Sequence, residues 1–287
     1  MKRFLITLFA AMFLFAGSAF AFDKEKVEVG VEYGYSKQDI ENVGIFNVGL
    51  GSFVNAGLTE KITDVKDWTI DATIGYKLSN ILTPYVILGQ GFLNLDQEIT
   101  GNAGIGIWSA STPILVRELR GASGFMYGAG AKGELYKFNN GLAFNYDTRW
   151  TTFDTESSQE QAILLPSFIG YGVNDNMKTS LGVFNMDLVA SRYFDLVTTC
   201  DDGSTYKKYF IEGFTPFLGG RYTHSDLNIK NELSSGNLNI GTEIETQGNM
   251  FSGLAGINIK LTKNLDAQIG GVFGQENGVQ VKTVYRF

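Results

Sequence analysis

The chain has 287 residues, enough for one or two domains. Its 35 Gly, 4 Pro, 3 Trp, 13 Tyr and 22 Phe exclude a disordered, collagen-like or linker-like chain. One Cys and one His exclude a disulfide scaffold and multi-Cys or multi-His metal centres, and a net charge of -7 with a pI near 4.9 speaks against a nucleic-acid partner.

Lys2 and Arg3 form a short positive start, followed by an apolar run of 13 residues from Phe4 to Ala16. The small-x-small pattern Ala19-Phe20-Ala21 follows. Together they predict a secretory signal peptide over 1–21, with Ala19 and Ala21 as cleavage determinants. The run is too short for a membrane span of about 20 residues. No Cys follows it to accept a lipid. The mature domain is then 22–287, and losing two positive charges takes the net charge to -9. It holds no apolar run of 18 residues, so an exported chain of this kind is either soluble or a β-barrel.

From there the period is two. Val27, Val29, Val31, Tyr33 and Tyr35 share one strand face against Glu28, Gly30, Glu32, Gly34 and Ser36. Trp68, Ile70, Ala72, Ile74, Tyr76 and Leu78 alternate with Thr69, Asp71, Thr73, Gly75 and Lys77. Leu142, Phe144, Tyr146 and Trp150 alternate with Ala143, Asn145, Asp147 and Arg149. Twelve strands are predicted, near 26–37, 67–78, 84–95, 123–136, 141–153, 161–173, 179–192, 205–214, 217–229, 249–261, 265–274 and 279–287. Tight turns are expected at 79–83, 137–140, 174–178, 215–216 and 262–264, and long loops at 38–66, 96–122, 194–204 and 230–248. Strand length, short turns on one rim and long loops on the other, and aromatics near strand ends (Tyr76, Tyr85, Tyr136, Phe144, Trp150, Phe214, Tyr285) favour a membrane barrel over a soluble sandwich. The fold class is therefore all-β, an antiparallel transmembrane β-barrel of about 12 strands, within 10–14. The range reflects Phe46, Val48, Leu50 and Val54, which alternate inside the first loop, and the apolar stretch 103–117. Pro166 inside a strand predicts a bulge or the outer rim.

The last strand places Val279, Val281, Thr283, Tyr285 and Phe287 on one face, and the sequence ends on Phe287. Here the sequence resembles bacterial outer-membrane β-barrel proteins. The segments Leu82-Thr83-Pro84-Tyr85-Val86 and Thr215-Pro216-Phe217-Leu218-Gly219-Gly220-Arg221-Tyr222 look like the turn-plus-strand units of small barrels of the OmpA, OmpW and porin type. The resemblance covers the mature chain as a pattern and is specific at its two ends. It implies location in the cell outer membrane of a Gram-negative bacterium, with short turns in the periplasm. It also implies that Val281, Thr283, Tyr285 and Phe287 form the signal read by the barrel assembly machinery. Partners would be outer-membrane lipid and lipopolysaccharide, periplasmic chaperones during biogenesis, and small solutes, with homo-oligomers known among larger porins.

With polar faces inward, the expected lumen acids are Glu28, Glu32, Asp71, Glu134, Asp147, Asp187, Glu212 and Asp266. The bases are Lys77, Lys132, Arg149, Arg221, Lys260, Lys282 and Arg286, with Asn145 beside Asp147 and Arg149. Such balance allows either charges paired across a closed interior or a wet, weakly selective pore. Inward glycines (Gly30, Gly34, Gly75, Gly128, Gly130, Gly256, Gly270) tilt the reading toward a narrow channel; relief of sheet crowding is the competing account. Asp147 and Arg149 are the candidate constriction. Acids at 154, 156, 160, 201, 202, 232, 243 and 245 place most net charge in loops. The leading expectation is passive diffusion of small hydrophilic solutes or ions. The alternatives are a closed barrel acting through its surface loops and, last, a lipid-acting enzyme. No catalytic residue, cofactor or metal ligand is expected: His224 and Ser225 are strand neighbours on opposite faces, and Gly128-x-Gly130-x-x-Gly133 lacks the following helix that phosphate binding requires. Cys200 is expected in an exposed loop.

Overall fold

A strand that alternates apolar and polar side chains must put one face against lipid or a core, and its unpaired edges must find partners. The computed structural model describes residues 23–38, 42–50, 54–105, 108–162, 172–199, 205–207, 211–235 and 238–287. The signal segment, Pro166 and Cys200 lie outside the described residues. After a short 3-10 turn at Lys24–Lys26 come β1 (Val27–Gln38), β2 (Asn42–Leu50), β3 (Val54–Tyr76), β4 (Thr83–Ile105), β5 (Trp108–Lys137), β6 (Leu142–Ala162) and β7 (Gly172–Arg192). The short β8 (Phe194–Asp195), β9 (Val197–Thr199) and β10 (Thr205–Lys207) follow, then β11 (Gly213–Ser235), β12 (Leu238–Lys260), β13 (Leu265–Gly274) and β14 (Glu276–Arg286).

The result is an all-β antiparallel sheet of twelve strands. Ten of them close in the order β1-β14-β13-β12-β11-β7-β6-β5-β4-β3, with β1 pairing β3 to complete the ring. β2 continues the sheet beyond β3, and β8 extends the β11 edge where β7 ends. Both described ends, Asp23 and Phe287, lie on one rim with the turns 77–82, 138–141 and 261–264; we call it the terminal rim.

Several predicted boundaries move. Most of the strand expected at 161–173 and the middle of the one at 205–214 lie outside the described residues; the turns expected at 174–178 and 215–216 lie inside β7 and β11. Pro216 is tolerated because the β11 edge is unpaired there, between the pairings to β8 and β7. The loops expected at 38–66, 96–122 and 230–248 are mostly strand: β2 with β3, β4 with β5 and β11 with β12 run on as long hairpins at the far rim.

The outer surface carries an apolar band. Val31, Ile70, Ile74, Leu88, Phe125, Leu218, Phe251, Ile269, Val279 and Val281 point outward and are exposed, Leu218 by 64%. Tyr136, Phe138, Phe144, Tyr285 and Phe287 ring its terminal edge, with edge-to-face contacts between neighbours. Stacked Trp68 and Phe92 (6.1 Å) and the pair Tyr222–Phe251 (5.1 Å) mark the other edge. Along β1 the band runs from Val27 to Tyr35, roughly 20–25 Å at the usual rise and tilt.

Beyond that edge the faces exchange roles. On β11 the outward series Phe214, Leu218, Tyr222 gives way to Asp226, Asn228 and Lys230, while inward Leu227 and Ile229 become buried. β7 does the same, with Met186 and Leu188 outward below and Leu181 and Val183 inward above. The inward apolar residues Ile62, Val65, Leu93, Leu95, Leu119, Phe153, Leu181, Leu227 and Ile229 meet in one buried cluster beyond the aromatic edge. Just above the aromatic edge, a bulge between Thr63 and Lys66 puts Asp64 in the left-handed region at φ 55. Hydrogen bonds from Lys37 (2.8 Å) and Lys66 hold its carboxyl down at about 2.

The exchange of faces locates the end of the apolar band. Leu218→Arg is expected to lower unfolding stability in lipid vesicles by about 2–4 kcal/mol, the usual cost of Arg near the midplane. Asn228→Arg, on the same face beyond Tyr222, is expected to change it by less than about 0.5 kcal/mol in the same denaturant titration.

Candidate functional site: the lumen

The polar sides of the staves converge on the axis as successive charged levels. Moving inward from the terminal rim, Glu28 of β1 forms an ion pair with Lys132 Nζ of β5 (2.7 Å) and accepts from Arg286 Nε of β14 (3.0 Å). Arg286 also pairs with Asp266 of β13. At the next level Glu32 of β1, 1% exposed, is held by Arg149 of β6 from across the barrel and by Lys282 Nζ of β14 at 3.2 Å. Asp71 lies directly opposite Glu32 on β3 and is buried. Tyr85 donates its hydroxyl to Asp147, and Lys282 sits over the Tyr85 ring at 5.7 Å.

Above this, the Arg221 guanidinium makes two hydrogen bonds to Asp187, 2.7 and 2.8 Å, and a third to Gln280 Oε1 at 3.1 Å. Glu276 stands 3.7 Å from Arg221 and accepts from the Thr223 hydroxyl at 2.7 Å. Ser225, fully buried, donates to Gln38 Oε1 of β1 across the axis at 2.8 Å. Then the apolar cluster begins. Among the described residues, the inward side chains Glu32, Gln38, Thr223, Ser225, Val65, Leu93, Leu95 and Ile229 are packed with essentially no exposure.

Two cavities are lined by described residues. One of about 50 Å³ lies among Ser36, Asp67, Asp71, Arg149 and Glu276; the Asp67 and Asp71 Oδ1 atoms and Ser36 Oγ beside it have no hydrogen-bond partner, a setting for one or two waters. The other is a vestibule of about 640 Å³ on the terminal side, lined by both charged levels nearest that rim.

The structure places Glu28, Glu32, Asp71, Lys132, Asn145, Asp147, Arg149, Asp187, Arg221, Asp266, Lys282 and Arg286 on the inner wall. Lys77 and Glu134 line the vestibule mouth, while Glu212 and Lys260 pair with each other at 3.8 Å beside the terminal rim. Asp147 and Arg149, expected as one group, engage different partners. Tyr85, expected in the outer aromatic ring, points inward. A Tyr and an aliphatic residue alternate equally well on either face, and Gly130 decides the matter: any side chain there would overlap the Tyr85 ring. Inward glycines thus give space to rings and neighbouring backbone rather than to solvent. The sequence pattern does not single out Gln38, Asp67, Asn185, Thr223, Ser225, Glu276 or Gln280, most of them neutral or near assumed turns.

His224 faces outward, its Nδ1 2.9 Å from Asn249 Oδ1 and its Nε2 3.8 Å from Asp226, while Ser225 faces inward. The terminal series Val281, Thr283, Tyr285 and Phe287 is exposed on the outer surface. Among the described residues no cluster of side chains could hold a metal ion, and no helix is long and apolar enough to cross a membrane.

No family model matches the chain, and no curated protein matches it. Among solved structures, the outer membrane protease OmpT from Escherichia coli aligns at 12% identity and a TM-score of 0.47, over 94% of this chain and 99% of that one. The translocator domain of the autotransporter NalP from Neisseria meningitidis aligns at 8% and 0.42, over 100% and 97%. The toluene transporter TodX from Pseudomonas putida aligns at 8% and 0.28, over 90% and 87%. These likenesses are loose and carry no residue role or activity to this chain.

Glu32 and Arg149 supply the test of cross-barrel pairing. A double-mutant cycle of Glu32→Gln and Arg149→Ala, read by unfolding in lipid vesicles, is expected to give a coupling above about 1 kcal/mol, since each single change strands a buried charge. Additive effects would mean that the two groups do not meet.

Proposed function

We propose that this chain is an integral outer-membrane β-barrel, closed along its axis at rest, that works through the long hairpins on its outer side. The observation that carries the closed state is the set of unexposed inward side chains at successive levels, Glu32, Gln38, Thr223, Ser225, Leu227 and Ile229. The apolar band, its aromatic edges and the outward-facing final strand support insertion in the outer membrane, with the terminal rim in the periplasm. The partners are then outer-membrane lipid and lipopolysaccharide around the band, and the assembly machinery and periplasmic chaperones during insertion. No catalysis is assigned, because His224 and Ser225 lie on opposite sides of the wall.

A second reading, a conduit for small hydrophilic solutes, is favoured by the vestibule, which brings water well into the barrel from one end. Passage would require both the Glu32–Arg149 level and the apolar cluster to part. A planar bilayer recording separates the two. Folded wild-type protein, its insertion verified by protease protection, is expected to be electrically silent. Steady, salt-dependent conductance steps would establish the conduit and remove the closed state.

A further inference from the structure

The vestibule wall has a feature that closing the barrel does not require. In register across β11, β12 and β13, Phe217 stands opposite Gly256, which stands opposite Gly270. A side chain at Gly256 would overlap the Phe217 ring, and a Cβ at Gly270 would lie 3.3 Å from its Cζ. The two glycines therefore form a floor on which the ring lies, leaving its other face toward the vestibule that Phe217 lines. Two positions along the same strands, toward the terminal rim, the facing residues are Thr215, Asn258 and Gln268, also in one row and also lining the vestibule. Among the described residues these three side chains form no hydrogen bond.

Inward of Lys77 and Glu134 at the mouth, the charges around them are committed. Glu28, Lys132, Asp266 and Arg286 pair with one another, and Asp187 is held twice by Arg221. A charged solute beside Phe217 would have to break those pairs. A neutral solute with a flat C–H face and many hydroxyls would not.

We infer that the vestibule is a binding site for a neutral saccharide, with one sugar ring stacked on Phe217 and its hydroxyls met by Thr215, Asn258 and Gln268. A volume of about 640 Å³ lies within the usual range for small-molecule sites and has room for a short oligosaccharide. The site opens to the terminal rim and ends blind at the charged levels. This goes beyond the closed-barrel reading and does not depend on it.

The test is isothermal titration of the full-length folded protein with maltose and with N,N′-diacetylchitobiose, in a detergent without a sugar headgroup. Saturable binding of either is expected. Phe217→Leu keeps apolar volume and removes the aromatic face; it is expected to weaken binding about ten-fold. Gln268→Leu, outside the ion pairs, is expected to weaken it too and serves if the first variant does not fold, as read from heat-modifiable gel mobility. No saturable heat with either saccharide, or binding that the folded variants leave unchanged, would overturn the assignment. A conducting barrel would leave this result untouched, so the two proposals fail separately.

Discussion

Every backbone N–H and C=O in a lipid-crossing strand must be bonded inside the protein, and that constraint organises the molecule. β1 satisfies it by pairing on both edges, with β14 from Glu28 to Gln38 and with β3 from Val27 to Gln38. The first and last staves are thus neighbours, so the ring has no open edge. An even number of staves returns the chain to its starting rim, which is why Asp23 and Phe287 share it. Closure also determines the interior, because a closed sheet turns one face of every strand onto the same axis.

That axis is narrow. With ten staves the inward side chains reach one another, and this chain fills the space in two chemically distinct ways. Where the outside is apolar, the inside is charged and paired across the barrel, as in Glu28–Lys132 and Glu32–Arg149. Such pairs offset their desolvation only when the remaining hydrogen-bond capacity is also met; Arg221, with two bonds to Asp187 and one to Gln280, meets that condition. Where the outside turns polar, the inside becomes an ordinary hydrophobic core. The far half is then stabilised as a soluble protein is, by burial, while the near half relies on lipid outside and ion pairs inside.

Much of this was legible in the residues. The alternation of β1 and of Trp68–Leu78 fixed which side faces lipid, and the inward charges followed from phase alone. Partners did not, since Arg149 finds Glu32 rather than a residue on its own stave only once closure sets the spacing. The reversal of faces left a trace that period counting within a short window misses. On β11 apolar residues occupy even positions through Tyr222 and odd positions from Leu227, and on β7 the switch falls between Val183 and Met186. The turns expected at 174–178 and 215–216 rest on Asn, Asp and Pro residues that β7 and β11 carry within the strand. Tyr85 and Phe217 stayed hidden for another reason. Their placement depends on glycines of neighbouring strands, and register across the sheet is not written in local pattern.

On the proposed reading, the barrel wall is lipid-facing below, water-facing above and sealed within. Site-directed nitroxide labelling along β11, in a background with Cys200 replaced by Ser and the protein in lipid vesicles, reads all three. Labels at 218, 220 and 222 are predicted to be accessible to oxygen, and labels at 226, 228 and 230 to a polar nickel reagent. Single labels at 223, 225 and 227 are predicted to be shielded from both. Nickel access at 223, 225 and 227 would show a water-filled interior, and oxygen access continuing to 230 would erase the boundary on which the architecture rests.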